Sequence, residues 1–179
     1  MKNKIVAPIL AIVIAAVVLV GGKGVLAGTA EKNVEIARNK IMCALLPGST
    51  SFAPEEFDAS ENTAIKSVYK AENGYVIEST AYGYNGDVVL MVGVSNEGTV
   101  TGLVVRDLSE TKGLGAKALT DTEFLSQYLE TAGDAEIGNN VDAMTGATVT
   151  SKAVTRAVNS AVAYVTGADT TSSATTWGE

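Results

Sequence analysis

The longest hydrophobic stretch of the chain lies near its amino end, where residues 5–22 contain no charged side chain. A helix of this length spans about 27 Å, close to the roughly 30 Å hydrocarbon core of a bilayer. Lys2 and Lys4 precede the stretch, and basic flanks favour the cytoplasmic side. The pattern predicts a membrane anchor over residues 1–28, with the remainder of the chain outside the cytoplasm. The alternative is a cleaved signal peptide with a small-residue site at Val25-Leu26-Ala27.

Three later stretches have the apolar spacing of amphipathic helices. The first runs from Ala30 to Leu46 and is stopped by a Pro-Gly pair. The second covers Leu119 to Leu129, with Thr120 or Asp121 as its candidate N-cap. The third covers Thr150 to Val165. Its apolar side consists of small and β-branched residues that allow close packing on a sheet, namely Ala153, Val154, Ala157, Val158, Ala161 and Val162.

Between the first and second helices lie four stretches with the character of β-strands. They cover residues 64–70, 75–84, 88–94 and 99–106. Asn73-Gly74 is a strong hairpin signal, and the Asn96-Glu97-Gly98 turn is too short for a crossover. Residues 88–94 are almost wholly apolar, which indicates a central strand covered on both faces. The sequence therefore predicts an α+β domain over residues 29–168, with a twisted antiparallel sheet and packed helices, and a disordered Ser/Thr-rich tail over residues 169–179.

Charge and composition restrict the chemistry open to this domain. The first 30 residues carry a charge of +3 and the remaining residues, with 10 basic and 20 acidic side chains, carry −10. An acidic domain repels phosphate backbones, so nucleic-acid binding is not expected. With no histidine and one cysteine, the chain lacks the ligands for haem, iron–sulfur clusters and most zinc sites. Redox chemistry in this chain would therefore need an organic cofactor such as a flavin.

Two loops carry the candidate chemistry. Asp142-Ala143-Met144-Thr145-Gly146-Ala147-Thr148 comes just before the third helix, and Thr150 or Ser151 is available as its N-cap. Backbone N–H groups and the positive end of the helix dipole would meet there and favour a phosphate group, beside Lys152 in the first turn. The alternative is that Thr148 and Thr150 only cap the helix. Upstream, Glu110-Thr111-Lys112-Gly113-Leu114-Gly115 joins a strand to a helix, with glycines that permit close approach of the main chain to a flat ring.

Together these loops resemble the acceptor motif and the Glu-Thr-Pro-Gly-Leu-Gly loop of the covalent FMN-binding family. That family includes the G subunit of the Rnf complex, which this chain resembles most, and the C subunit of the Na+-translocating NADH:quinone oxidoreductase. The resemblance covers most of residues 30–166 and implies FMN joined to Thr148 through a phosphoester. The further cofactor-binding residues it suggests are Tyr82, Glu110, Thr111, Gly113, Leu114, Gly115, Lys117, Thr145, Gly146, Ala147, Thr150 and Ser151.

The resemblance also implies partners and a maturation step. Threonine is a poor nucleophile, so attachment would require an exported FMN transferase that uses FAD. The partners would be the membrane subunits of an Rnf-type complex, including a second flavinylated one. The chain departs from the family at Lys112, where Pro is usual, and at Leu108, where His is frequent. Two alternatives stay open: a stand-alone flavin carrier for extracellular electron transfer, and a surface-anchored binding module without redox function.

Overall fold

The computed structural model describes residues 27–60, 62–108 and 121–168. The predicted anchor over residues 5–22, the tail over residues 169–179 and the loop from Glu110 to Lys117 lie outside the described residues. Among the residues that are described, no helix combines the length and the apolar character needed to cross a membrane.

The centre of the domain is a five-stranded antiparallel sheet in the order β1-β2-β3-β4-β5. Its strands are β1 (Ala53–Glu55), β2 (Ile65–Ala71), β3 (Gly74–Tyr82), β4 (Asp87–Ser95) and β5 (Val100–Leu108). The four strands expected from the sequence are confirmed, and the short β1 is an addition. Three residues with a central proline give almost no strand signal, but a proline is tolerated at the edge of a sheet, where β1 pairs only with β2.

Among the described residues, three helices accompany the sheet: α1 (Ala27–Leu45), α2 (Thr122–Ser126) and α3 (Thr148–Thr166). The bounds of α1 agree with the prediction to within three residues. The second helix is shorter than predicted: Gln127 is its C-cap, residues 127–130 form turns, and the positive φ of Glu130 is incompatible with a helix. The third begins two residues earlier than predicted, which places Thr148 inside the helix.

The sheet is covered on both faces, as the apolar character of β4 predicted. On one face α3 packs its row of Ala and Val residues against Val88, Leu90 and Val92. On the other face Met42, Leu45 and Leu46, in and just after α1, pack against Val76, Met91 and Val104. The end of α1 is held by Thr101, whose hydroxyl donates a 2.6 Å hydrogen bond to the carbonyl of Leu45.

The direction of α3 decides at which end of the strands its first residue lies. Near its carboxyl end, Thr166 lies beside Gly98 in the turn between β4 and β5. Nearer its amino end, Arg156 Nη2 donates a 2.7 Å hydrogen bond to the carbonyl of Tyr82, the last residue of β3. The helix thus runs from the end of the sheet where Tyr82 lies, which we call the Tyr82 end, to the opposite end, where Gly98 lies. Because Leu108 pairs with Val88 at the start of β4, β5 also ends at the Tyr82 end of the sheet.

Candidate functional site

The short helix α2 and the residues after it support the loop that leads to α3. Asp121 begins α2 as its N-cap, as one of the two predicted candidates, and its carboxylate accepts a 3.0 Å hydrogen bond from the N–H of Phe124. Phe124 and Leu125 are buried, and so is Tyr128 just beyond the helix, which confirms the predicted apolar face. The sequence did not indicate the role of Gln127, which follows α2.

The segment from Asp142 to Ala147, which we call the acceptor loop, leaves the core at the buried Val141. Gln127 contacts the backbone of Asp142 twice: Gln127 Oε1 accepts a 2.7 Å hydrogen bond from its N–H, and Nε2 donates a 3.4 Å bond to its carbonyl. The loop then makes a four-residue turn in which the N–H of Ala147 donates to the carbonyl of Met144 at 3.0 Å. Gly146 has a φ of 76° at the third position of this turn, where a positive φ favours glycine.

Ser151, one turn into α3, holds the other end of the acceptor loop. Its hydroxyl accepts a 3.1 Å hydrogen bond from the N–H of Met144 and donates a 2.9 Å bond to the carbonyl of Ala147. The prediction that Thr150 or Ser151 is the N-cap of α3 was wrong. Both residues are buried inside the helix, and the N-cap position is Ala147. Hydroxyl residues are frequent N-caps, but here the Ser151 hydroxyl is used inside the helix to hold the preceding turn.

Thr148 is the first residue of α3, and it is exposed. The methyl group of Ala147 cannot accept a hydrogen bond, so the N-cap residue gives the helix no side-chain cap. The first N–H groups of a helix have no acceptor within the helix, and the helix dipole places partial positive charge at the same point. Lys152 is four residues after Thr148 and therefore on the same side of the helix. The surroundings of Thr148 thus favour an anionic group.

Two tyrosines, Tyr82 and Tyr84, lie at the Tyr82 end of the sheet. Tyr82 is 65% exposed and Tyr84 is 73% exposed, although tyrosines in and near strands are usually half-buried. Arg156 on α3 donates a hydrogen bond to the carbonyl of Tyr82, which connects α3 to β3 at this end of the sheet. The structure thus places Tyr82 at the end of the sheet where α3 begins. In the sequence, the segment from Glu110 to Lys117 follows β5, which ends at the same end of the sheet.

A chain of hydroxyl groups joins the support of α2 to that of α3. The Tyr128 hydroxyl lies 2.8 Å from Thr155 Oγ1, and Thr155 Oγ1 donates a 3.0 Å hydrogen bond to the carbonyl of Ser151. Since the single proton of Thr155 is used in that bond, Tyr128 donates to Thr155. Burial raises the pKa of Tyr128 well above its ordinary value, an effect that the bond to Thr155 only partly offsets, so this donor keeps its proton at neutral pH.

The fold and this site define a class: a small α+β domain that presents an exposed hydroxyl at a helix start whose N-cap is alanine, suited to a phosphate-bearing cofactor. Comparison with known proteins indicates an FMN-binding family. Residues 83–163 match the family described as FMN-binding domain.

Three curated relatives make the family more specific. The chain is 37% identical over 141 residues to the G subunit of the ion-translocating oxidoreductase complex of Methanosarcina acetivorans, covering 72% of this chain and 74% of that protein. It is 35% identical over 149 residues to the G subunit of the proton-translocating ferredoxin:NAD(+) oxidoreductase complex of Clostridium ljungdahlii, covering 76% of each. A third relative, the G subunit of the Na(+)-translocating complex of Acetobacterium woodii, is 36% identical over 98 residues, which is 50% of this chain and 47% of that protein. The chain belongs to this family of FMN-binding G subunits of Rnf-type complexes.

Proposed function

We propose that this chain is the G subunit of an Rnf-type ion-translocating ferredoxin:NAD+ oxidoreductase complex, a membrane-anchored electron carrier with FMN joined covalently to Thr148. The observation that carries the proposal is the position of Thr148. It ends the acceptor motif, its side chain is exposed, and it begins a helix whose N-cap residue, Ala147, has no capping side chain. The family relationship supplies the cofactor and the type of complex.

The residues around Thr148 suit a phosphoester physically. The N–H groups of the first turn of α3 would donate to the phosphate oxygens, and the helix dipole would stabilise their charge. Lys152, on the same side of the helix, adds a positive charge one turn from Thr148. Gly146 and Ala147 leave room next to the backbone because neither has a side chain larger than a methyl group.

Attachment requires that Thr148 Oγ1 attack the flavin-side phosphorus of FAD. The Thr148 O–P bond forms, the P–O–P bond of FAD breaks, AMP leaves, and the hydroxyl proton passes to a base. A threonine hydroxyl is a poor nucleophile without such a base, which supports a separate FMN transferase that provides it.

Bound FMN would supply reversible one- and two-electron transfer, and the protein would adjust its potential through hydrogen bonds and local charge. The exposed ring of Tyr82 is available to cover one face of the flavin. We assign the second wall to Glu110, Thr111, Gly113, Leu114, Gly115 and Lys117, which follow β5 in the sequence. Gly115→Val should then change the visible spectrum or the redox potential, while far-UV circular dichroism stays that of the wild type.

The attachment residue is tested with paired substitutions in the full chain, produced together with an FMN transferase. Thr148→Ala should abolish the mass increase of one FMN and the fluorescence of the denatured band in a gel. Thr148→Ser should retain both because the hydroxyl remains. Thr150→Ala should also retain both, since Thr150 is buried and cannot reach a transferase. Labelling of Thr148→Ala together with loss of labelling in Thr150→Ala would show that the attachment residue is Thr150.

We further propose that residues 5–22 anchor the chain and that the domain faces away from the cytoplasm. Added protease should then degrade the domain in intact spheroplasts, and alkaline carbonate should not extract the chain from membranes. A soluble form that starts at Gly28 would instead show a cleaved signal peptide. Protection from the protease would contradict the orientation. Co-purification with membrane subunits distinguishes membership of a complex from action as a stand-alone carrier.

A further inference from the structure

The acceptor loop is held at both ends by side chains that form hydrogen bonds with its backbone. At its start, the Gln127 carboxamide forms two hydrogen bonds with the backbone of Asp142, of 2.7 and 3.4 Å. At its end, the buried Ser151 hydroxyl forms two hydrogen bonds with the backbone of Met144 and Ala147. Each of these side chains therefore satisfies one backbone donor and one backbone acceptor of the loop.

The two supports are connected through the interior of the domain. Gln127 is followed by Tyr128, whose hydroxyl is bound to Thr155, and Thr155 in turn binds the carbonyl of Ser151. Tyr128, Thr155 and Ser151 are all buried. The position of Gln127 is thus set relative to the first turns of α3, the same turns that carry Thr148. A residue more than a dozen positions before the acceptor loop is held in register with the attachment site.

Packing fixes the second half of the loop, where Met144 contacts the core and Ala147 is buried, whereas the exposed Asp142 is held by Gln127. Within the described residues, the loop's own backbone contributes a turn hydrogen bond from Ala147 to Met144. Asp142, Thr145 and Gly146 are exposed, so burial does not restrict them. Glycine at position 146 further increases the number of conformations open to the loop. Loss of the Gln127 contacts would therefore increase the conformations of the first half of the loop, from Asp142 towards Met144, and lower the fraction of molecules with the observed loop shape.

We propose that Gln127 is a positioning residue for flavin attachment, which holds the acceptor loop in the conformation that the FMN transferase recognises. The proposal rests on the assignment of Thr148 as the attachment residue. Gln127 takes no part in the transfer itself, in which the Thr148 O–P bond forms as FAD releases AMP. It acts by raising the fraction of molecules that are ready to bind the transferase, and a smaller fraction weakens apparent affinity in proportion.

The test measures attachment kinetics with the full chain prepared free of flavin, purified FMN transferase and saturating FAD. Gln127→Leu has similar size but no hydrogen-bonding group, and Gln127→Asn is polar but too short by one methylene. Both should raise the KM for the chain about fivefold to tenfold with nearly unchanged kcat, the effect of losing about one hydrogen bond. Gln127→Glu keeps an acceptor for the N–H of Asp142 and should recover most of the wild-type KM.

The matched control is Ser126→Ala. Ser126 lies next to Gln127, and its hydroxyl donates to the carbonyl of Glu123 within α2, away from the acceptor loop. This variant should react with the wild-type KM. Hydrogen exchange provides a second reading: in Gln127→Leu the amide of Asp142 should exchange faster, while the amides in the middle of α3 keep their wild-type rates.

The outcomes separate this proposal from the one on which it rests. A wild-type KM in Gln127→Leu and Gln127→Asn would overturn the positioning role and leave Thr148 as the attachment residue. Failure of both variants to fold would show that Gln127 is structural and would also overturn it. Failure of the wild-type chain to acquire FMN would overturn the proposed function itself.

Discussion

Replacement of Tyr128 by Phe removes one hydroxyl from the buried chain between α2 and α3 and leaves the ring in place. Phe124 packs edge-on against this ring, with 5.4 Å between the two ring centroids, and Phe at position 128 preserves that contact. The variant loses the 2.8 Å bond to Thr155, but the Thr155 hydroxyl keeps its bond to Ser151, so no buried donor in this described chain is left without an acceptor. We therefore expect the free energy of unfolding at neutral pH to fall by about 1 kcal/mol, the net value of one hydrogen bond.

The same substitution should change sign at alkaline pH. The pKa of Tyr128 is raised in the folded state by burial, whereas in the unfolded chain it is about 10. The raised pKa means that protonated Tyr128 stabilises the folded state. This stabilisation is complete below about pH 10 and is lost as the pH rises towards the folded pKa, because the unfolded chain releases the Tyr128 proton first. At about pH 11 the wild type should have lost about 1.4 kcal/mol through Tyr128. The Phe variant has no such loss, so the two stabilities should cross between about pH 10 and about pH 11.

The measurement is urea denaturation of both proteins, followed by circular dichroism at neutral pH and at steps up to about pH 11. All other ionisable groups are present in both proteins. Their effects cancel in the difference between wild type and variant. A difference that stays constant with pH would refute the reasoning, since it would mean that Tyr128 ionises equally in the folded and unfolded states.

Three further substitutions test the packing that supports the site, each by urea denaturation of the variant and the wild type. Ser79→Ala should raise the free energy of unfolding by about 1 kcal/mol, because its buried hydroxyl has no hydrogen-bond partner among the described residues; destabilisation would show that the hydroxyl is paired. Gly93→Ala should lower it by about 1–3 kcal/mol, because the new methyl group would collide with the carbonyl of Leu45 at the end of α1; wild-type stability would show that α1 moves without cost. Asp121→Ala should lower it by about 1 kcal/mol through loss of the cap on Phe124; no loss would show that α2 does not depend on this cap.

Hydrophobic periodicity was sufficient to predict most of the fold. The alternation and length of the strands, the turn residues between them and the almost wholly apolar residues 88–94 of β4 predicted the observed antiparallel order. These signals are local, since each depends on residues a few positions apart. The elements that deviate are those in which local signal is weak or misleading. β1 has three residues and a proline, and α2 ends before the apolar spacing does, since Tyr128 is buried from a turn beyond the helix.

The sequence by itself also determined the candidate attachment residue and the family, because the acceptor motif is a continuous stretch whose chemistry can be recognised without coordinates. Only the tertiary structure decided where α3 begins, that Ser151 holds the preceding turn instead of capping the helix, and that Gln127 binds the backbone of Asp142. The physical reason is sequence separation. Gln127 and Asp142 are 15 positions apart, and Tyr128 and Thr155 are 27 apart, so no local periodicity relates them. They come together because α2 and α3 pack in one core, and that packing positions the acceptor loop.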